Sequence, residues 1–169
     1  MPGLIYDLMN VLEMESEYYS ELCARSKEKT QIIIENKVDK LKEITEDEQI
    51  LVSKVSKLEK KREQIVSDIC IVLNVTSKSF TITSLIEKLD NSEDERDRLV
   101  KIRDNIFEKT GELKKLNEKN KLLLEQALGF VNFTLNAVNS GKKVINNDYR
   151  CGGQLMDNAS GVSFFDAKQ

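Results

Sequence analysis

Histidine and tryptophan are absent from the 169 residues, and proline occurs once, as Pro2. With no proline beyond Pro2, no proline ring forces a kink between Gly3 and Gln169, so very long helices are permitted. The three cysteines, Cys23, Cys70 and Cys151, are odd in number, widely spaced and without a C-x-x-C pair. They form neither a disulfide framework nor, with histidine missing, a zinc-ligand set, and are read as reduced thiols without chemistry. Charge of one sign is also lacking. The net charge is -3, with 26 Lys/Arg and 29 Asp/Glu interspersed, which leaves no basic stripe for a nucleic-acid backbone and no polybasic membrane anchor. The opening MPGLIYDLMNVLEMESEYY has no cationic start, apolar run and cleavage site of a signal peptide, and no apolar stretch approaches transmembrane length. A cytoplasmic protein without direct membrane insertion is expected.

What is present is charge and aliphatic periodicity: 33% of residues are charged and 40% hydrophobic, the composition of a soluble helical chain and the length of one domain. Apolar positions at heptad spacing predict an all-α fold with three long helices, at about 3–35, 38–73 and 93–140, and a short one at 82–89. The first seam takes Ile5, Leu8, Leu12, Tyr19, Leu22 and Ile33, with Glu15, Ser26 and Lys29 in the intervening core-phase slots. The second runs Leu41, Ile44, Glu48, Leu51, Val55, Leu58, Arg62, Ile65, Ile69 and Val72. Between them, Asn36 is a helix-ending candidate and Asp39 a helix-starting one. Thr81 or Thr83 caps the short helix, and Ser92-x-x-Glu95 is a capping box opening the last. The expected arrangement is an antiparallel coiled-coil-like bundle over residues 1–141. Residues 142–169, in a segment rich in glycine and without periodicity, are expected to be a flexible tail.

Charged residues in the seams, Glu15, Glu48, Glu59 and Arg62, are the only candidates for chemistry. A carboxylate with no histidine, metal cluster, phosphate loop or nucleophile beside it has no reaction to serve. They are read as structural: folding the first two helices against each other about Asn36 brings Arg62 within reach of Glu15, a charge pair that fixes register. No enzyme activity, cofactor or metal site is expected.

The last long helix is the informative one. It keeps one phase through Leu99, Ile102, Ile106, Lys109, Leu113, Leu116, Asn120, Leu123, Ala127, Phe130, Thr134 and Ala137. From Leu113 to Phe130 that phase spans an arc of about 100°, which one neighbouring surface covers. Leu124, Leu128, Val131, Leu135 and Val138 widen it by roughly 60°, and Phe133 and Leu122 lie on another side. At 1.5 Å per residue this helix is about 72 Å long against about 54 Å for the second, so an antiparallel partner is expected to run out after roughly residue 129. The most apolar stretch would then be unsupported, at a gross forfeit on the order of 8–15 kcal/mol of burial. A partner, a second copy or the tail would have to cover it.

LNEKNKLLLEQALGFVNFTL, with an N-x-x-N-x-L-L element at Asn117, Asn120, Leu122 and Leu123, resembles the C-terminal helix of FlgN-type flagellar export chaperones. LIYDLMNVLEMESEYYSELC is similar to the family's first helix. LKEITEDEQILVSKVSKLEKKREQI is similar to its second, through Glu48, Gln49, Leu58, Glu59 and Arg62, and TITSLIEKL falls between in the same order. The tail's NDYRCGG and FFDAKQ look like tail elements of relatives in Gram-positive bacteria. The resemblance implies an ATP-independent chaperone that holds hook-filament junction (hook-associated) proteins before type III export, with a helical client segment laid on the last helix. It implies a client-binding set of Asn117, Asn120, Leu123, Leu124, Ala127, Leu128, Phe130, Val131 and Leu135. It also implies docking on the cytoplasmic domain of the export gate by an aromatic in the tail, Tyr149 first, then Phe164 and Phe165. In this reading Asn117 and Asn120 hydrogen-bond to the client and penalise wrong registers, as a seam asparagine does in coiled coils. The alternative is a homo-oligomeric coiled-coil scaffold or adaptor with no export role.

Overall fold

The structure is a computed structural model that describes residues 2–75, 80–88 and 93–143. Among them every regular element is an α-helix: α1 (Pro2–Ile34), α2 (Val38–Leu73), α3 (Ile82–Lys88) and α4 (Glu93–Lys143). The chain divides into two units, Met1–Glu125 and Gln126–Gln169. The division falls inside α4, which continues through Ser140 and Gly141. Its physical basis is burial: from Gln126 to Ser140 every side chain is exposed except half-buried Ala127.

Local chemistry sets the helix ends in the first unit. Pro2 stands in the first turn of α1, where its missing N–H leaves no hydrogen bond unmade. At the other end Asn36 adopts φ 59°. The Asn36 N–H donates to the Ile33 carbonyl and that of Lys37 to the Ile32 carbonyl, both at 3.1 Å, the paired closure that a left-handed residue after a helix makes possible. α2 ends alike, with Asn74 at φ 53°, Asn74 N–H on Ile71 and Val75 N–H on Cys70. Asparagine tolerates this backbone region because its short amide compensates locally.

One expected cap is corrected. Lys37 stands at the N-cap of α2 and makes no side-chain capping bond, and Asp39 lies within the first turn, where its charge complements the helix dipole instead of capping an N–H. Thr81, not Thr83, caps α3: Ser84 N–H donates to Thr81 Oγ1 and Thr81 N–H to Ser84 Oγ, each at 3.0 Å. This is a reciprocal box with serine in the usual glutamate position. The Ser92 half of the box proposed for α4 lies outside the described residues.

The core of this unit is two apolar clusters. The larger joins Ile5, Leu8, Met9, Val11 and Leu12 of α1 to Leu58, Ile65 and Ile69 of α2, Leu85 and Ile86 of α3, and Leu99 and Ile102 of α4. The short helix thus earns its place through two buried side chains. The smaller cluster is Leu22, Leu51 and Val55, with Tyr18, Tyr19 and Leu113 packed against it. α1 meets α2 through Glu15–Arg62 and Lys29–Glu48, so residue numbers fall on one helix as they rise on the other. Between α1 and α4 they rise together, from Glu13–Arg98 to Lys27–Glu112.

Candidate functional site

Three groups of sequence-selected residues can be followed onto the structure. The first is the charge pair. Arg62 Nε donates to Glu15 Oε1 at 3.0 Å, with Glu15 3% exposed and the arginine side chain one-third exposed. Burial raises the Glu15 carboxyl above its ordinary range and Arg62 opposes that rise, while nearby Glu59 adds to it. Glu48 instead pairs with Lys29 at 2.7 Å, both largely shielded. Glu15 and Glu48, the two seam carboxylates most shielded from water, therefore each have a cation. The thiol of Cys23 is likewise buried, donates to the Lys109 carbonyl at 3.4 Å, and is pushed up in pKa by burial, the opposite of what a reactive cysteine needs.

The second group is the asparagine pair, which the structure joins to α1. Asn120 is 3% exposed. Its Nδ2 donates to the Ser26 carbonyl at 2.9 Å and to Ser26 Oγ at 3.1 Å, and its Oδ1 accepts from Thr30 Oγ1 at 2.6 Å. Both ends of the carboxamide are thus hydrogen-bonded to α1. Asn117 stays exposed, although its Oδ1 accepts from Ser26 Oγ at 3.2 Å. Ser26, Thr30, Asn117 and Asn120 form a polar layer across α1 and α4. Among the described residues no buried side-chain nitrogen or oxygen lacks a partner, so the layer is fully satisfied.

Thr30 was not evident from the sequence as a partner. Its signal was present: Ser26 and Thr30 are small hydroxyl residues four apart, on one face of α1 and on or beside its seam. A buried amide facing that seam needs donors and acceptors there.

The third group is apolar. Leu123 and Leu124 are half-buried in the first unit. In the second unit Ala127 is half-buried, and Leu128 (62%), Phe130 (70%), Val131 (48%) and Leu135 (54%) are exposed. So are Phe133 and Val138, which the expected contact set omitted. Phe130, expected in the core phase, is among the most exposed side chains. Tyr149, Phe164 and Phe165 lie outside the described residues.

No helix among the described residues is long and apolar enough to cross a membrane. No curated protein and no solved structure matches the chain. The model of one family, the FlgN protein, matches residues 1–156. That span takes in both cores, the polar layer and the whole exposed face of α4, and the chain therefore belongs to the FlgN family of flagellar export chaperones, a family of chaperones rather than enzymes.

Proposed function

We propose that the chain is a cytoplasmic export chaperone that binds helical terminal segments of hook-filament junction proteins, keeps them unassembled and delivers them to the type III export gate. The observation that carries this is the exposure of Leu128, Phe130, Val131, Phe133, Leu135 and Val138 on successive turns of one helix. Six such side chains in one stretch form an apolar surface of the kind that marks a protein-interaction site, and an amphipathic client helix laid along them is the helix-in-groove mode.

Client contact is assigned to Leu123, Leu124, Ala127, Leu128, Phe130, Val131 and Leu135, with Asn117 as a polar contact at the border. Asn120 acts from inside, by pinning the register of α4 against α1. We infer that α1, α2 and α4 work as an antiparallel coiled-coil-like bundle whose task is to present α4. Residue numbers run oppositely through Glu15–Arg62 and Lys29–Glu48, and together through Glu13–Arg98 and Lys27–Glu112, so α2 is opposed to both α1 and α4, which supports this. Docking on the cytoplasmic domain of the export gate is assigned to Tyr149, with Phe164 and Phe165 next. A tyrosine offers an apolar ring with a polar tip, which suits a transient anchor.

The test is co-expression with the terminal helical segments of candidate junction proteins. One segment class should co-purify with the chain in a stoichiometric complex. A chain that retains none of them, and self-associates in proportion to concentration, would be the homo-oligomeric scaffold instead.

A further inference from the structure

Residues 126–141 hold no charged side chain, in a chain that is 33% charged. At 100° per residue, with Ala127 as origin, their apolar side chains run from Phe133 on one margin through Phe130, Ala127 and Val131 to Leu135 and Leu128 on the other. That arc is about 220°, interrupted by Gln126 in the first turn and by Thr134 near its middle, and Asn132, Asn136 and Asn139 fall in the remainder. A single packed helix covers about 100°. The margins also differ in kind. Leu128, Val131 and Leu135 make an aliphatic stripe and Phe130 and Phe133 an aromatic one, with small Ala127 and Thr134 between them.

We propose that the client element seated here is a pair of amphipathic helices, one on the aliphatic stripe and one on the aromatic stripe, each presenting an uncharged seam. This rests on the reading of the chain as a chaperone of helical export clients, and adds the number of helices and their chemistry. One client helix, or the equivalent helix of a second copy, covers one margin and leaves the other in water. The neutrality of the stretch selects the seam: a charged client residue buried against residues 126–141 would be desolvated with no counter-ion among them.

The experiment is hydrogen exchange on the full chain co-purified with a full-length junction protein, alongside Leu135→Asp and Phe133→Asp. Two separate client segments should be slowed by roughly tenfold or more. Leu135→Asp should release one of them and Phe133→Asp the other. Leu135→Asn and Phe133→Asn should release the same segments with unchanged helicity, which separates lost contact from lost folding. A single protected segment, release of the same segment by both variants, or a second chaperone copy on either stripe by native mass overturns the two-helix proposal while leaving the chaperone reading intact. Failure of every junction protein to co-purify overturns both.

Discussion

Glu15 is 3% exposed, among apolar neighbours, with Arg62 as its hydrogen-bonded cation. Because burial outweighs Arg62 in shifting it, the folded chain binds the Glu15 proton more tightly than the unfolded chain does. Between the ordinary carboxylate value and the raised one, the Glu15 contribution to stability therefore falls as pH rises and recovers as pH drops. Arg62→Met removes the opposing cation and should cost about 1–3 kcal/mol at neutral pH. The cost should shrink on acidification, once a protonated Glu15 no longer needs a partner; urea unfolding across the range checks it, and a pH-independent cost contradicts it. At Asn120, hydrogen bonding outweighs the stability that a seam leucine ordinarily brings. With Ser26 and Thr30 committed to its amide, Asn120→Leu should cost about 1–2 kcal/mol by stranding buried groups. Adding Ser26→Ala and Thr30→Val should recover most of that loss in the same unfolding measurement. Glu15–Arg62 was legible because both residues interrupt seams that a turn at Asn36 brings together. The Asn120 network was not, since heptad phase tells that a residue faces inward but not which neighbour faces it.

Helices were legible as elements because their stabilising signal is periodic and local: Leu8, Leu12, Leu51, Val55, Leu58, Ile65, Ile69 and Leu99 recur at seam spacing and are buried. The ends were less so. Lys37 precedes α2 with no side-chain cap, and an uncapped start leaves no mark in the sequence. Asparagine at a left-handed position does leave one, and its consequence can be measured. At φ 59° a β-branched side chain clashes with its own backbone, so Asn36→Val should lower stability by about 1–2 kcal/mol while Asn36→Gly leaves it unchanged or slightly raised. Equal melting temperatures for the two variants would contradict the role given to this turn. In the second unit, sequence periodicity placed Phe130 and Ala137 in a core phase, yet Phe130 is 70% exposed. A helix carries its pattern wherever it runs, whether or not a neighbour is there to receive it.

At the scale of the molecule, burial is unevenly distributed. Twelve buried residues from four helices form the larger cluster and three form the smaller, with Glu15 and Ser16 buried in the sequence interval between their α1 members. Opening free energy follows local burial, so amides around Leu8, Leu12 and Ile69 should exchange more slowly than those around Leu22 and Leu51. Uniform protection would mean that Glu15 and Ser16 do not divide the core. The central claim concerns the other unit, where the apolar side chains of α4 face a client and not a core. Leu128→Asp combined with Val131→Asp tests it directly, by comparing co-purification of a junction protein with helicity and melting of the free chain. The account predicts loss of the client with helicity and melting cooperativity close to those of the unsubstituted chain. A collapsed melting transition, or a client retained in full, would contradict it.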